Sequence, residues 1–206
     1  WLSDVAPVSP FVLPVVNSVS IKDVTVTYKD AQAGQQYALK LDTVDLKSGG
    51  LSAPLDLMVK GNINNQAFSV DGQLGSIGAI GGGGMFPVKL DIAALKVAIG
   101  LEGKLGAPDG APMADLKLSV SGGSLDETLA AAAALEPSLK GMDLPIKGAF
   151  KFNSELKLDG PTKISLADLD LSLGPLALTG RVAADLGGAR PAVDVALKTD
   201  TLNLDE

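Results

Sequence analysis

Few residues in this chain are placed to do covalent chemistry. Ser154-Glu155-Leu156-Lys157 spells the Ser-x-x-Lys string of acyl-enzyme hydrolases. That string works on a helix, where residues three apart share a face. The residues around it alternate with period two, so Ser154 and Lys157 are expected on opposite faces of a strand. Asp168 and Asp170 stand on one strand face, as a pair of acid and base carboxylates would. Outward charge on a half-wet strand accounts for both more simply. The run Gly81-Gly82-Gly83-Gly84 has no following Lys-Ser or Lys-Thr and no strand-to-helix frame. It therefore reads as a flexible loop and not as a phosphate cradle. No EF-hand pattern and no Asn-x-Ser/Thr sequon occurs.

The missing residue types narrow the field further. The 206 residues include no His and no Cys. The commonest general base at neutral pH, the thiolate nucleophile and the usual zinc ligands are thus absent from the sequence. An enzyme would have to work with carboxylates, Lys, Tyr or Ser, so the expectation is a non-enzymatic chain with no cofactor. The formal net charge of −7 provides no basic footprint for nucleic acid, and none is expected as a partner. It also argues against charge-driven docking on anionic headgroups. No apolar run is long enough to span a bilayer as a helix. Neither the start at Trp1-Leu2-Ser3 nor the finish at Leu204-Asp205-Glu206 looks like a natural terminus, which reads as a piece of a longer chain.

The elements that must position any site are strands. Residues 1–17 carry Pro7, Pro10 and Pro14 and read as an extended lead-in. From residue 18 to residue 206 the apolar period is two. Leu55, Leu57 and Val59 alternate with Asp56, Met58 and Lys60; Val88, Leu90 and Ile92 alternate with Lys89 and Asp91. Nine or ten such strands emerge, with turns at Gly49-Gly50, Asn64-Asn65 and Gly187-Gly188. One-faced alternation predicts antiparallel strands with one dry face and one wet face.

In four places the apolar phase slips by one residue: Ile21 to Val26, Leu41 to Leu46, Ile92 to Val97 and Ile164 to Leu171. Each slip is either a bulge that adds twist and curvature or a break between two strands. Taken as bulges, they predict a mostly β fold: an elongated, curled antiparallel sheet shaped as a U with a groove. One or two short helices are expected beside it. Ser124-Leu125-Asp126-Glu127 is a capping box before an alanine-rich run that ends at Pro137 and Gly141. A weaker helix is expected over Ser76 to Ile80.

The dry face is long, aliphatic and poor in aromatics. The residues expected to line it are Val26, Leu39, Leu57, Val59, Phe68, Leu90, Val97, Ile99, Leu118, Phe150, Phe152, Leu171, Leu178 and Val195. If it stays open, flexible aliphatic side chains suit acyl chains, which need apolar contact without directional bonds. The expected partner is therefore a lipid, such as a phospholipid. If the face closes on itself, the chain is instead a structural or assembly module whose edge strands pair with another protein.

Several segments resemble the AsmA family, whose relatives include TamB. Val19-Ser20-Ile21-Lys22-Asp23-Val24-Thr25-Val26-Thr27-Tyr28-Lys29-Asp30, after Leu13-Pro14-Val15-Val16, resembles the family's opening strand pair. Phe68-Ser69-Val70-Asp71-Gly72-Gln73-Leu74-Gly75-Ser76 resembles its next step. Leu169-Asp170-Leu171-Ser172-Leu173-Gly174 with Leu176-Ala177-Leu178-Thr179-Gly180-Arg181-Val182 resembles its closing hairpin. The resemblance implies that residues 18–206 are an AsmA-like β domain of a longer chain. It also implies a periplasmic location, with a tether to the inner membrane through a segment outside this sequence. Its further implications are phospholipid movement toward the outer membrane, a role in envelope integrity, and an envelope protein as a partner.

Overall fold

The computed structural model describes residues 17–30, 35–142, 147–188 and 190–199, without the side chains of 29–30 and 35–37. Apart from Asn17, the expected lead-in lies outside the described residues. The strands are β1 Ser18–Asp30, β2 Gln35–Ser48, β3 Pro54–Ile63, β4 Gln66–Ser76, β5 Phe86–Ala94 and β6 Val97–Gly106. They continue as β7 Met113–Gly122, β8 Phe150–Asp159, β9 Lys163–Leu173, β10 Leu176–Asp185 and β11 Ala192–Thr199. All eleven lie in one sheet in chain order, and every neighbouring pair is antiparallel. The sheet curls but does not close, because β1 and β11 do not pair. The expected mostly β, curled antiparallel fold is what forms, with eleven strands among the described residues against the nine or ten that the alternation predicts.

Three of the four phase slips are bulges. In β2, Leu41 faces Gly61 but Thr43 faces Lys60, so Asp42 is the extra residue. β1 mirrors this step at Asp23, whose φ of 56° is left-handed, and so keeps its register with β2. In β9, Asp168 (φ 47°) shifts the pairing with both β8 and β10. The fourth slip, Ile92 to Val97, is a break between strands. Leu95 (φ 54°) and Lys96 (φ 66°) form a two-residue hairpin turn of the type in which both residues are left-handed. Asn64 (φ 47°) and Asn65 (φ 66°) make the same turn between β3 and β4.

Glycines add to the curl. Gly72 (φ 151°) in β4 and Gly103 (φ 154°) in β6 allow a neighbouring backbone to approach unusually closely. A Cβ at Gly72 would run into the Lys89 carbonyl oxygen, and one at Gly103 into that of Asp115. Bulges and glycine kinks are the devices by which a twisted sheet is made to bend.

Two helices cap chain reversals at opposite ends of the sheet. α1, Ile77–Gly81, follows β4; the Ser76 Oγ accepts a hydrogen bond from the Ala79 N–H at 3.2 Å. α2, Leu125–Ala133, follows β7, and the Ser124 Oγ accepts from the Glu127 N–H at 3.2 Å. The core sits mid-sheet, where Val88, Ala114 and Leu116 are buried against Leu74, Leu90, Leu105, Leu156 and Leu158. On the opposite face Asp56, Gln73, Lys89, Glu102, Lys117 and Glu155 stand directly across from one another on β3 to β8. Lys89 Nζ lies 3.6 Å from Glu102 Oε2, and Gln73 Nε2 donates to Asp56 Oδ1 at 2.9 Å. Exposed pairs of this kind contribute roughly 0–1 kcal/mol each. Their larger effect is to keep this face wet and fix the register.

Candidate functional site: an apolar groove

The register assembles the apolar positions into rows that run across the strands. One row crosses the whole sheet: Ile21, Val44, Val59, Val70, Ile92, Ile99, Val120, Phe152, Leu171, Leu178 and Thr199. Every member but the last is apolar. At about 4.8 Å between strands, the row is about 48 Å long measured along the sheet. A second row holds Leu46, Leu57, Gly72, Leu90, Leu101 and Leu118. Another runs from Leu41 through Gly61, Phe68, Ala94, Val97 and Gly122 to Phe150. Val195 ends a row reached through Leu166 and Val182, and Val26 faces Leu39 on β1 and β2. Every residue expected to line the wall therefore falls on one face.

Its burial separates this face from an ordinary core. Val88 is 3% exposed and Leu116 6%, so the sheet curls toward its apolar side. Yet most members of the rows are only half-buried, and among the described residues no side chain is fully enclosed. Burial fades toward the edges, where Val26 is 51% and Val195 55% exposed. The arrangement is a trough with a packed middle and open flanks.

Sequence reading did not single out Leu74, Val88, Leu101, Leu116, Val120 or Leu156 as wall residues, although they obey the same alternation. It also missed the glycines. Three of the phenylalanines lie against a glycine on the neighbouring strand: Phe68 opposite Gly61, Phe86 beside Gly75 and Phe150 over Gly122. An aromatic ring covering a cross-strand glycine restores packing that the missing side chain forfeits.

The polar candidates separate cleanly. Ser154 is buried on the apolar side, and its hydroxyl donates to the Ala167 carbonyl at 2.8 Å, holding the β9 bulge. Lys157 is exposed on the other face, 4.0 Å from Asp115. Asp168 and Asp170 are exposed, and Asp170 faces Asn153 and Thr179. Asp168 helps line a shallow recess of about 370 Å³ against the charged face, together with Lys89, Glu102, Lys117 and Glu155. Among the described residues two titrations are displaced, both outside the apolar rows. A hydrogen bond and the charge of Asp42 raise Lys40 above the ordinary lysine value across a 2.8 Å ion pair. Hydrogen bonds from Ser138 hold the Glu136 carboxyl below the ordinary range.

Among the described residues, no group of three or more His, Cys, Asp or Glu gathers where it could hold a metal. No described helix is long and apolar enough to cross a membrane. Comparison with protein-family models, with curated proteins and with solved structures finds no match to this chain.

Proposed function

We propose that the apolar trough is a lipid-binding groove that holds acyl chains, those of a phospholipid first among them, and helps move them between bacterial membranes. The observation that carries this reading is the half-burial of a continuous apolar face spanning eleven strands. Large exposed apolar surface is uncommon on a soluble chain unless something occupies it. An acyl chain lying along the rows gains about 0.8 kcal/mol for each CH₂ removed from water, with no need for directional contacts. The charged outer face keeps such a carrier soluble. The periplasmic setting, the tether to an inner membrane and an envelope protein as a further partner rest on the AsmA resemblance alone.

The test is native mass spectrometry of the purified chain, followed by lipid extraction and uptake of a fluorescent fatty acid. Acyl lipid near one or a few molecules per chain is expected. Leu118→Asp places a carboxylate between Leu101 and Ser154 in the trough, where an unpaired charge is costly. It should cut lipid uptake about tenfold or more, whereas Lys117→Asp on the outer face should leave uptake unchanged. Clean apo-protein with no uptake, or equal uptake by Leu118→Asp, would sink the reading.

A further inference from the structure

The two edges of the sheet are built differently. β1 carries a left-handed bulge at Asp23 in its middle. Bulged edges resist pairing with another chain. β11 has neither proline nor a left-handed residue from Ala192 to Thr199. Among the described residues it is the last strand of the sheet, so half of its backbone N–H and C=O groups point away from β10. Its apolar side chains are largely bare: Val193 is 63% exposed, Val195 55% and Leu197 49%.

We propose that β11 pairs with β11 of a second copy of this chain, antiparallel and about a two-fold axis through Ala196. The order of residues along the strand carries the inference. Pairing about Ala196 sets Val195 opposite Leu197 and Val193 opposite Thr199 on the apolar face. On the charged face it sets Asp194 opposite Lys198 of the second copy, and Lys198 opposite its Asp194. Both charged contacts are thus of opposite sign, each being the symmetry mate of the other. Asp194 already sits on the charged face, where its Oδ1 lies 3.4 Å from Arg181 Nε. A two-fold axis normal to the sheet keeps the two apolar faces on one side. The troughs of the two copies would therefore run into each other without a step. The inference rests on the edge alone and is independent of what fills the trough.

Sedimentation equilibrium of the 206-residue chain tests it, with charge-swapped variants as the discriminating arm. The wild-type chain should dimerise reversibly. Lys198→Glu alone and Asp194→Lys alone each place like charges in both contacts. Each should weaken dimerisation about tenfold or more. An equimolar mixture of the two variants restores both opposite-sign contacts and should dimerise as the wild type does. All of these positions are exposed, and circular dichroism checks that each variant is folded. The proposal is overturned if the wild-type chain stays monomeric, as it would if residues following Thr199 covered the edge. It is equally overturned if the single variants dimerise like the wild type, or if the mixture is no tighter than either variant alone.

Discussion

At the scale of single residues, the groove depends on side chains that are absent as much as on those present. Gly103 sits where a Cβ would collide with the Asp115 carbonyl oxygen, in a backbone conformation that other residues avoid. Backbone cannot yield as a flexible side chain can. Gly103→Ala should therefore destabilise the chain by about 2 kcal/mol or more, the range for a residue forced into an incompatible conformation. Urea denaturation measures this, and a loss under about 0.5 kcal/mol would show that β6 relaxes freely. Ser154 makes a milder test. Its hydroxyl satisfies a carbonyl at the β9 bulge from a buried position. Ser154→Ala should cost about 1 kcal/mol, the usual net worth of such a bond. Ser154→Val would put a larger apolar side chain there and leave the carbonyl equally unpaired. If both variants match the wild type in stability, the bulge does not need its hydrogen bond.

Among the elements, strands were legible and their junctions less so. Period-two alternation located the strands because each has one dry face and one wet face, and a strand such as β3 reads the same in sequence and in burial. Bulges at Asp23, Asp42 and Asp168 were visible as phase slips, since an extra residue must displace every apolar position after it. The hairpin at Leu95 and Lys96 left the same trace as a bulge, because it lacks the Asn and Gly that mark its geometry elsewhere. Compare Asn64, whose side-chain oxygen also accepts from the Ala38 N–H at 2.8 Å. Glycine kinks were illegible for a different reason: nothing in the alternation tells a glycine at a close approach from one in an open loop. The Leu95 turn yields a stabilising prediction. Both of its residues pay to be left-handed, so Leu95→Asn with Lys96→Gly should raise stability by roughly 1–2 kcal/mol. Thermal unfolding reads the change, and an unchanged or lower melting temperature would mean that Leu95 contributes packing the turn needs.

Over the whole molecule, the meander sets how stability is distributed. Among the described residues each strand pairs only with its neighbours in sequence, and β1 does not pair with β11. Such a sheet resembles a repeat array, in which each unit is held by adjacent units and the ends are held on one side only. The tightest packing, around Val88, Ala114 and Leu116, is drawn from β4 to β8. Toward the last strand the apolar side chains are largely bare. Local opening should therefore cost least at the edges and most at the centre. Amide hydrogen exchange followed by mass spectrometry should show the slowest exchange in β5 to β8 and the fastest in β1 and β11. Lipid in the trough would shift this pattern in a particular way. Lipid lying there would cover the half-exposed flanks more than the packed middle, so protection should rise most in β2, β3, β9 and β10. A uniform rise across all strands would instead indicate that lipid stabilises the chain globally without lying along the rows. No rise at all, at saturating lipid, would remove the groove as its binding site.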